Sequence, residues 1–273
     1  MKTQPVIQLA QTSGPSDAFT RRDLIAVIAM VCVFFALSLR LAANTGARSN
    51  AMVCMDNLQR LTRAWAQFAD DHQGVLPANA GNVGTLQSWV TGWLDFASNP
   101  DNTNTLNLLR SPFGPYVKDV ALYRCPSDQS QVTIGGKKYF RVRSYSMSGA
   151  MNDPSSTWIS PTYRIFTRMS DIYNPPPSAC FVFIDEHAGS INDGLFALTM
   201  PSGPVATVMV DFPAARHDRA GTLSFADGHV ELHRWVDDRT TPMEVSPTLL
   251  PLNVSQPNNL DVLWLTSRTT AKF

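Results

Sequence analysis

The sequence predicts an α+β protein in which a long N-terminal helix, membrane-spanning in its first half, packs on an antiparallel β-sheet head. Three observations carry that expectation. Residues 24–39 read LIAVIAMVCVFFALSL without a single charge, an apolar stripe of helical period runs through residues 51–68, and Asp227-Gly228 stands between two alternating runs. A chain of 273 residues suits one domain of about 200 residues plus an N-terminal appendage.

Composition narrows the function classes. Basic and acidic residues balance at 22 each, and no Lys/Arg run forms a stripe, so nucleic acid is not an expected partner. Charged residues make up 16% of the chain, and Pro (19) outnumbers Gly (15), which points to short elements joined by long connections.

The first element is the apolar run. Its sixteen residues fall short of the roughly 20 that span a bilayer. Leu41, Ala42 and Ala43 extend it past Arg40, whose long side chain can snorkel. Arg21 and Arg22 precede it, so the positive-inside bias keeps the N-terminus cytoplasmic and sends the remainder across the membrane. An ordinary signal anchor would read the same way. Beyond Gly46, Ala51, Met55, Leu58, Leu61, Trp65 and Phe68 recur at spacings of three and four, the mark of a helix that lays one face on a partner surface. Gly74 and Pro77 supply the stop, and Gly46 is the expected bend. Unbroken from 24 to 73, such a helix measures about 75 Å.

The segment AFTRRDLIAVIAM resembles the processing motif of type IV pilins and pseudopilins. Ala18 matches the residue before the cut, Phe19 the methylated first residue and Asp23 the acid at the fifth position, although Ala18 stands where Gly is usual and Asp23 where Glu is usual. The resemblance implies removal of residues 1–18 by a prepilin peptidase and assembly with like subunits. It also implies pairing of Asp23 with a neighbour's new amine, which suits a carboxylate that is costly in lipid unless paired. It places the chain in a bacterial inner membrane, with a transmembrane half at 19–46, an amphipathic periplasmic half at 47–73 and a periplasmic globular domain at 74–273. A twin-arginine export signal is the competing reading of TRRDLIA, but no A-x-A site follows the apolar run.

Past Pro77 the chain turns polar and irregular, with Trp89, Trp93 and Phe96 as expected core anchors. Cys54 in CMDNLQRL, Cys125 in RCPSD, SYSMSGAMN and SACFVFIDEHAGSINDGLFAL match, in order, a family of pilin-like proteins named for a C-terminal H-X9-DG motif. Here that motif is His217, Asp227 and Gly228. Four cysteines allow three pairings. The resemblance and the exported location imply a Cys54–Cys125 disulfide, closing a loop of about 70 residues and stabilising by about 3–4 kcal/mol; two separate buried thiols are the other reading.

Asp-Gly between alternating runs predicts a two-residue type I′ hairpin. That turn pairs Ala226 with His229, Phe225 with Val230, Ser224 with Glu231 and Leu223 with Leu232, leaving one core face and one polar face. His217 precedes the first strand and is read as a structural hydrogen-bonding residue.

Asp185, Glu186 and His187 end an apolar run, and with His217, Asp227 and His229 they raise the question of a metal. Imidazole and carboxylate suit transition ions, and carboxylates suit Ca2+. No HExxH, paired CxxC or dense calcium loop occurs, so no cofactor is expected, with Ca2+ left open because some major pseudopilins bind it. No nucleophile elbow, P-loop or dinucleotide fingerprint is present, and a non-enzymatic structural subunit is the expected function. The alternative is a monomeric exported protein that binds or hydrolyses a ligand through Asp185, His187, His217 and Asp227. Co-expression with a prepilin peptidase is expected to give a chain beginning at methylated Phe19, read by mass spectrometry; an uncut chain, or a start near Asn44, contradicts the motif.

Overall fold

A computed structural model describes residues 21–80, 88–153, 157–203, 205–243, 247 and 249–273, with backbone alone for 36–48. The processing residues Ala18 and Phe19 lie outside the described residues. The chain divides into two compact units, Met1–Gly46 and Ala47–Phe273. Helix α1 (Arg21–Asp71, 51 residues) contributes to both and runs through Gly46, where a bend was expected.

In the first unit Asp23 occupies the first turn of α1, where a negative charge complements the helix dipole. The side chains described after it, residues 24–35, are apolar and exposed. Among the described residues no helix is long and apolar enough to cross a membrane. The described apolar stretch covers only about 18 Å at 1.5 Å per residue, against a hydrocarbon core of about 30 Å. This overturns the membrane-spanning half of the expected fold, and with it the placement in a bacterial inner membrane with a periplasmic head.

In the second unit α1 buries Leu58, Leu61 and Trp65 of the anticipated stripe, joined by Cys54, Thr62 and Ala69, while Ala51, Met55 and Phe68 are half-buried. Each large apolar side chain so buried contributes about 1.5–3 kcal/mol. The helix stops where Gln73 and Gly74 turn left-handed and the Gly74 N–H reaches the Ala69 carbonyl at 2.7 Å.

Among the described residues, two further α-helices and nine strands complete the α+β fold. After the single-turn α2 (Leu106–Leu109) come the hairpin β1 (Gln131–Ile134) and β2 (Lys137–Phe140), then β3 (Tyr145–Ser148), β4 (Phe181–Asp185), β5 (Leu195–Phe196), β6 (Val208–Met209), β7 (Ala220–Phe225), β8 (Val230–Arg234), β9 (Val254–Ser255) and α3 (Leu260–Ser267). The main sheet has the order β5-β3-β4-β7-β8, antiparallel except for the parallel β3–β5 pair.

Both faces of this sheet are covered, so its central strands β4 and β7 are buried throughout. One face packs with α1, through Tyr145, Met147, Val182 and Phe183. The other packs with α3, through Phe181, Ile184, Leu223 and Phe225 against Leu265. A register shift between Phe181 and Phe183 absorbs one residue, which lets Phe181 and Ile184 share the α3 side despite their odd spacing. Of the expected anchors, Trp89 is in the core against Phe113 and Phe183. Phe96 is half-buried beneath the Arg141 guanidinium, and Trp93 is exposed.

The closing hairpin forms, one residue out of the expected register. Leu223 pairs with Glu231 and Ser224 with Val230, and the Phe225 N–H donates to the His229 carbonyl at 3.0 Å. The loop is therefore three residues, Ala226-Asp227-Gly228, with φ +92° at Gly228; this is the type I turn with a glycine bulge, which Asp-Gly serves as well as type I′. The slip exchanges the faces of β8. Thr222 and Ser224 then point at α1, where the Thr62 hydroxyl donates to Ser224 Oγ at 2.6 Å, so the face expected to be polar is a buried, hydrogen-bonded seam.

Two glycines separate strain from steric fit. A Cβ at Gly228 meets nothing within 4 Å, so Gly228→Val is expected to cost about 1–3 kcal/mol through backbone strain alone, and Gly228→Asn much less. A Cβ at Gly221 lies 2.6 Å from the Ala214 carbonyl and 3.1 Å from Trp235, so Ala and Asn there both cost about 1–3 kcal/mol. Urea unfolding measures all four; equal losses at Gly228 for Val and Asn contradict the turn assignment.

Candidate functional site

Beneath α1 the fold gathers four donors from four separate places. Cys54 comes from the buried face of α1, and Cys125 follows a single 3-10 turn at Val120–Tyr123. Asp185 is the last residue of β4, and His217 opens the turn into β7. Their ligating atoms all lie within 4.8 Å of one another, and all four residues are buried. Cys54 Sγ stands 3.8 Å from Asp185 Oδ2, and Cys125 Sγ stands 3.4 Å from His217 Nε2. Both sulfurs are free thiols.

Each position has a local cause. On α1, one turn after Cys54, the Asn57 amide donates to the Arg124 carbonyl at 3.1 Å and ties the helix to the residue before Cys125. Downstream of Cys125, Asp128 folds the CPSD segment into a turn, accepting from the Ser130 N–H at 2.8 Å and from the Ser144 hydroxyl at 2.6 Å. Around His217, Asp218 and Arg219 both take positive φ, and the His217 and Ala220 backbones exchange two hydrogen bonds of 3.2 Å. That is a type I′ corner built from residues that adopt it at a cost of about 1–3 kcal/mol each, strain of a kind that clusters at functional sites.

Hydroxyl donors and a buried guanidinium surround the four side chains. The Tyr145 and Thr222 hydroxyls both donate to Cys54 Sγ, at 3.2 and 3.3 Å. Arg216 Nη1 pairs with Asp185 Oδ1 while its Nη2 lies 3.8 Å from Asp128 Oδ2, and all three side chains are almost wholly buried. Burial raises the Asp128 carboxyl, but Arg216 and the hydrogen bonds from Ser144 and Ser130 outweigh it and hold Asp128 below its usual range. The adjacent Cys54 sulfur and burial push the Cys125 thiol up.

The structure divides the residues singled out in sequence. Asp185 and His217 meet Cys54 and Cys125, but Asp227 does not join them. Its carboxylate sits at the hairpin tip, accepting from the His229 N–H at 3.1 Å with the His229 ring 2.5 Å away. The two ends of the H-X9-DG spacing thus have separate jobs, one in the cluster and one in the turn. His187 is also apart: burial, and then Arg216, lower its imidazole to about 4, and its Nδ1 accepts from the Gly189 N–H at 2.9 Å. Glu186 turns away toward Ser190, whose hydroxyl donates at 2.5 Å, and burial raises its carboxyl to about 8. Tyr145, Asp128 and Arg216 are the partners that sequence reasoning left unassigned, and only the position of Asp128 behind Cys125 hinted at one.

Compared with protein-family models, curated proteins and solved structures, the chain shows no match.

Chemically, two thiols, an imidazole and a carboxylate form a set that can ligate an ion. Removing the Arg216 charge tests the shell. Arg216→Leu strands the Asp128 and Asp185 carboxylates in the interior and is expected to cost about 3–5 kcal/mol in urea unfolding. A loss below about 1 kcal/mol contradicts the buried ion cluster.

Proposed function

We propose that the chain is a non-catalytic assembly subunit of the pilin and pseudopilin kind, joining copies of itself through the first part of α1. One observation carries the reading. From Leu24 to Phe34 the apolar side chains of a regular helix are exposed all round, from 43% at Val27 to 76% at Phe34. A helix that is apolar on every side is stable only when covered, and exposed apolar surface of this extent marks an interaction site.

Copies of the same segment are the occupant that fits. Identical apolar helices pack side by side without burying an unpaired charge, because Arg21, Arg22 and Asp23 stand together at one end. In this reading a prepilin peptidase removes residues 1–18, and the Asp23 carboxylate accepts the methylated amine of a neighbour's Phe19. Coverage by the same α1 that supplies Cys54, Leu58 and Trp65 to the core ties assembly to the folded head.

Cys32 is an in-built reporter, exposed within the apolar stretch while Cys54, Cys125 and Cys180 are buried. Mild oxidation of the full-length chain is expected to give Cys32–Cys32 dimers, abolished by Cys32→Ser and reduced at least tenfold by Ile28→Glu, one turn away. A chain that stays monomeric in sedimentation at every concentration, with Cys32 uncross-linked, contradicts assembly through this helix.

A further inference from the structure

We infer that Cys54 Sγ, Cys125 Sγ, Asp185 Oδ2 and His217 Nε2 form a structural zinc site that fastens α1 to the sheet. The inference is independent of assembly through the first part of the helix.

Distances support it first. Zinc bonds of about 2.3 Å to sulfur and 2.0–2.1 Å to nitrogen or oxygen, arranged tetrahedrally, set neighbouring donors about 3.3–3.8 Å apart. The Cys125–His217 and Cys54–Asp185 separations of 3.4 and 3.8 Å lie in that interval, and all four donor atoms fall within 4.8 Å of each other. Ordinary side-chain packing brings two such atoms together; four from four chain segments around one point is the arrangement of a closed, four-coordinate site.

Donor chemistry selects the metal. Two sulfurs and an imidazole suit Zn2+, whereas Ca2+ and Mg2+ take oxygen ligands, of which this cluster offers one side chain. The closed set leaves no position for a substrate, as in structural rather than catalytic zinc sites.

The surroundings have the form of an outer shell. Cys54 Sγ receives O–H donors from Tyr145 and Thr222, the kind of support that stabilises a thiolate ligand. Arg216 holds Asp185 Oδ1 and so leaves Oδ2 facing Cys54. Charge closes as well: two thiolates and one carboxylate around Zn2+ leave a single negative charge, which the Arg216 guanidinium beside Asp185 offsets. On binding, the two S–H bonds break as two Zn–S bonds form, and two protons leave to solvent. Asp185 and neutral His217 each donate a lone pair, and no electron is transferred. A surface hollow of about 670 Å3 lined by Arg216, Arg219 and Asp238 lies against this shell and supplies an approach.

The test uses the full-length chain purified under reducing conditions without chelator. Elemental analysis is expected to find one zinc per chain. After unfolding in chelator and refolding with Co2+ alone, thiolate-to-cobalt charge-transfer absorption and tetrahedral ligand-field bands are expected, both erased by Zn2+. Cys54→Ser should halve the charge-transfer absorption, and His217→Ala should weaken Zn2+ binding by more than about tenfold. A Cys32→Ser/Cys180→Ser chain keeps the full spectrum. If the ligand variants fail to fold, the wild-type spectrum and that double variant decide by themselves. No charge-transfer absorption, a spectrum unchanged by Cys54→Ser, or recovery of a Cys54–Cys125 disulfide in place of zinc overturns the site.

Discussion

Packing of residues 54–69 of α1 against the centre of the sheet is the contact on which the rest of the head depends. Leu58, Leu61 and Trp65 join Tyr145, Met147 and Phe183 in one core cluster. Because β4 and β7 are also covered on the far side by α3, neither strand has a solvent face. A sheet buried on both sides admits polar side chains only where they are hydrogen-bonded. Thr222 and Ser224 meet that condition by pairing with Cys54 and Thr62 of the helix. The same seam therefore supplies both apolar burial and a register lock between helix and sheet.

The polar cluster follows from that packing. Cys54 faces the sheet because it lies on the buried stripe, and β4 ends in Asp185 at the same level. Cys125 and His217 arrive on connections whose turns are each fixed locally, by Asp128 in one and by the left-handed pair Asp218-Arg219 in the other. Arg216 then becomes necessary rather than incidental, since two carboxylates buried together without a cation would be driven to protonate. Helix, sheet and both connections thus converge on one small polar volume beneath α1.

Much of this was legible from local pattern. The burial of Leu58, Leu61 and Trp65 on α1, its stop at Gly74 and the existence of the closing hairpin all follow from spacing and turn chemistry. The hairpin register did not, because Asp-Gly serves two loop lengths that differ by one residue, and only the burial of both faces of β7 distinguishes them. Convergence of Cys54, Cys125, Asp185 and His217 was not legible either. No spacing rule links residues that meet only after a helix, a sheet and two long connections have folded. The expected membrane anchor failed on length: the described apolar side chains cover about 18 Å, and hydropathy alone does not distinguish a short covered helix from part of a span.

The account rests on residues 54–69 of α1 belonging to the same cooperative unit as β4 and β7. Native-state hydrogen exchange reads this directly, amide by amide. Buried amides of that stretch are expected to open only with the free energy of global unfolding, matching those of Phe183 and Leu223. Exchange from these helix amides at a markedly lower free energy, while β4 and β7 stay protected, would show that the sheet holds together without α1 and would contradict the account.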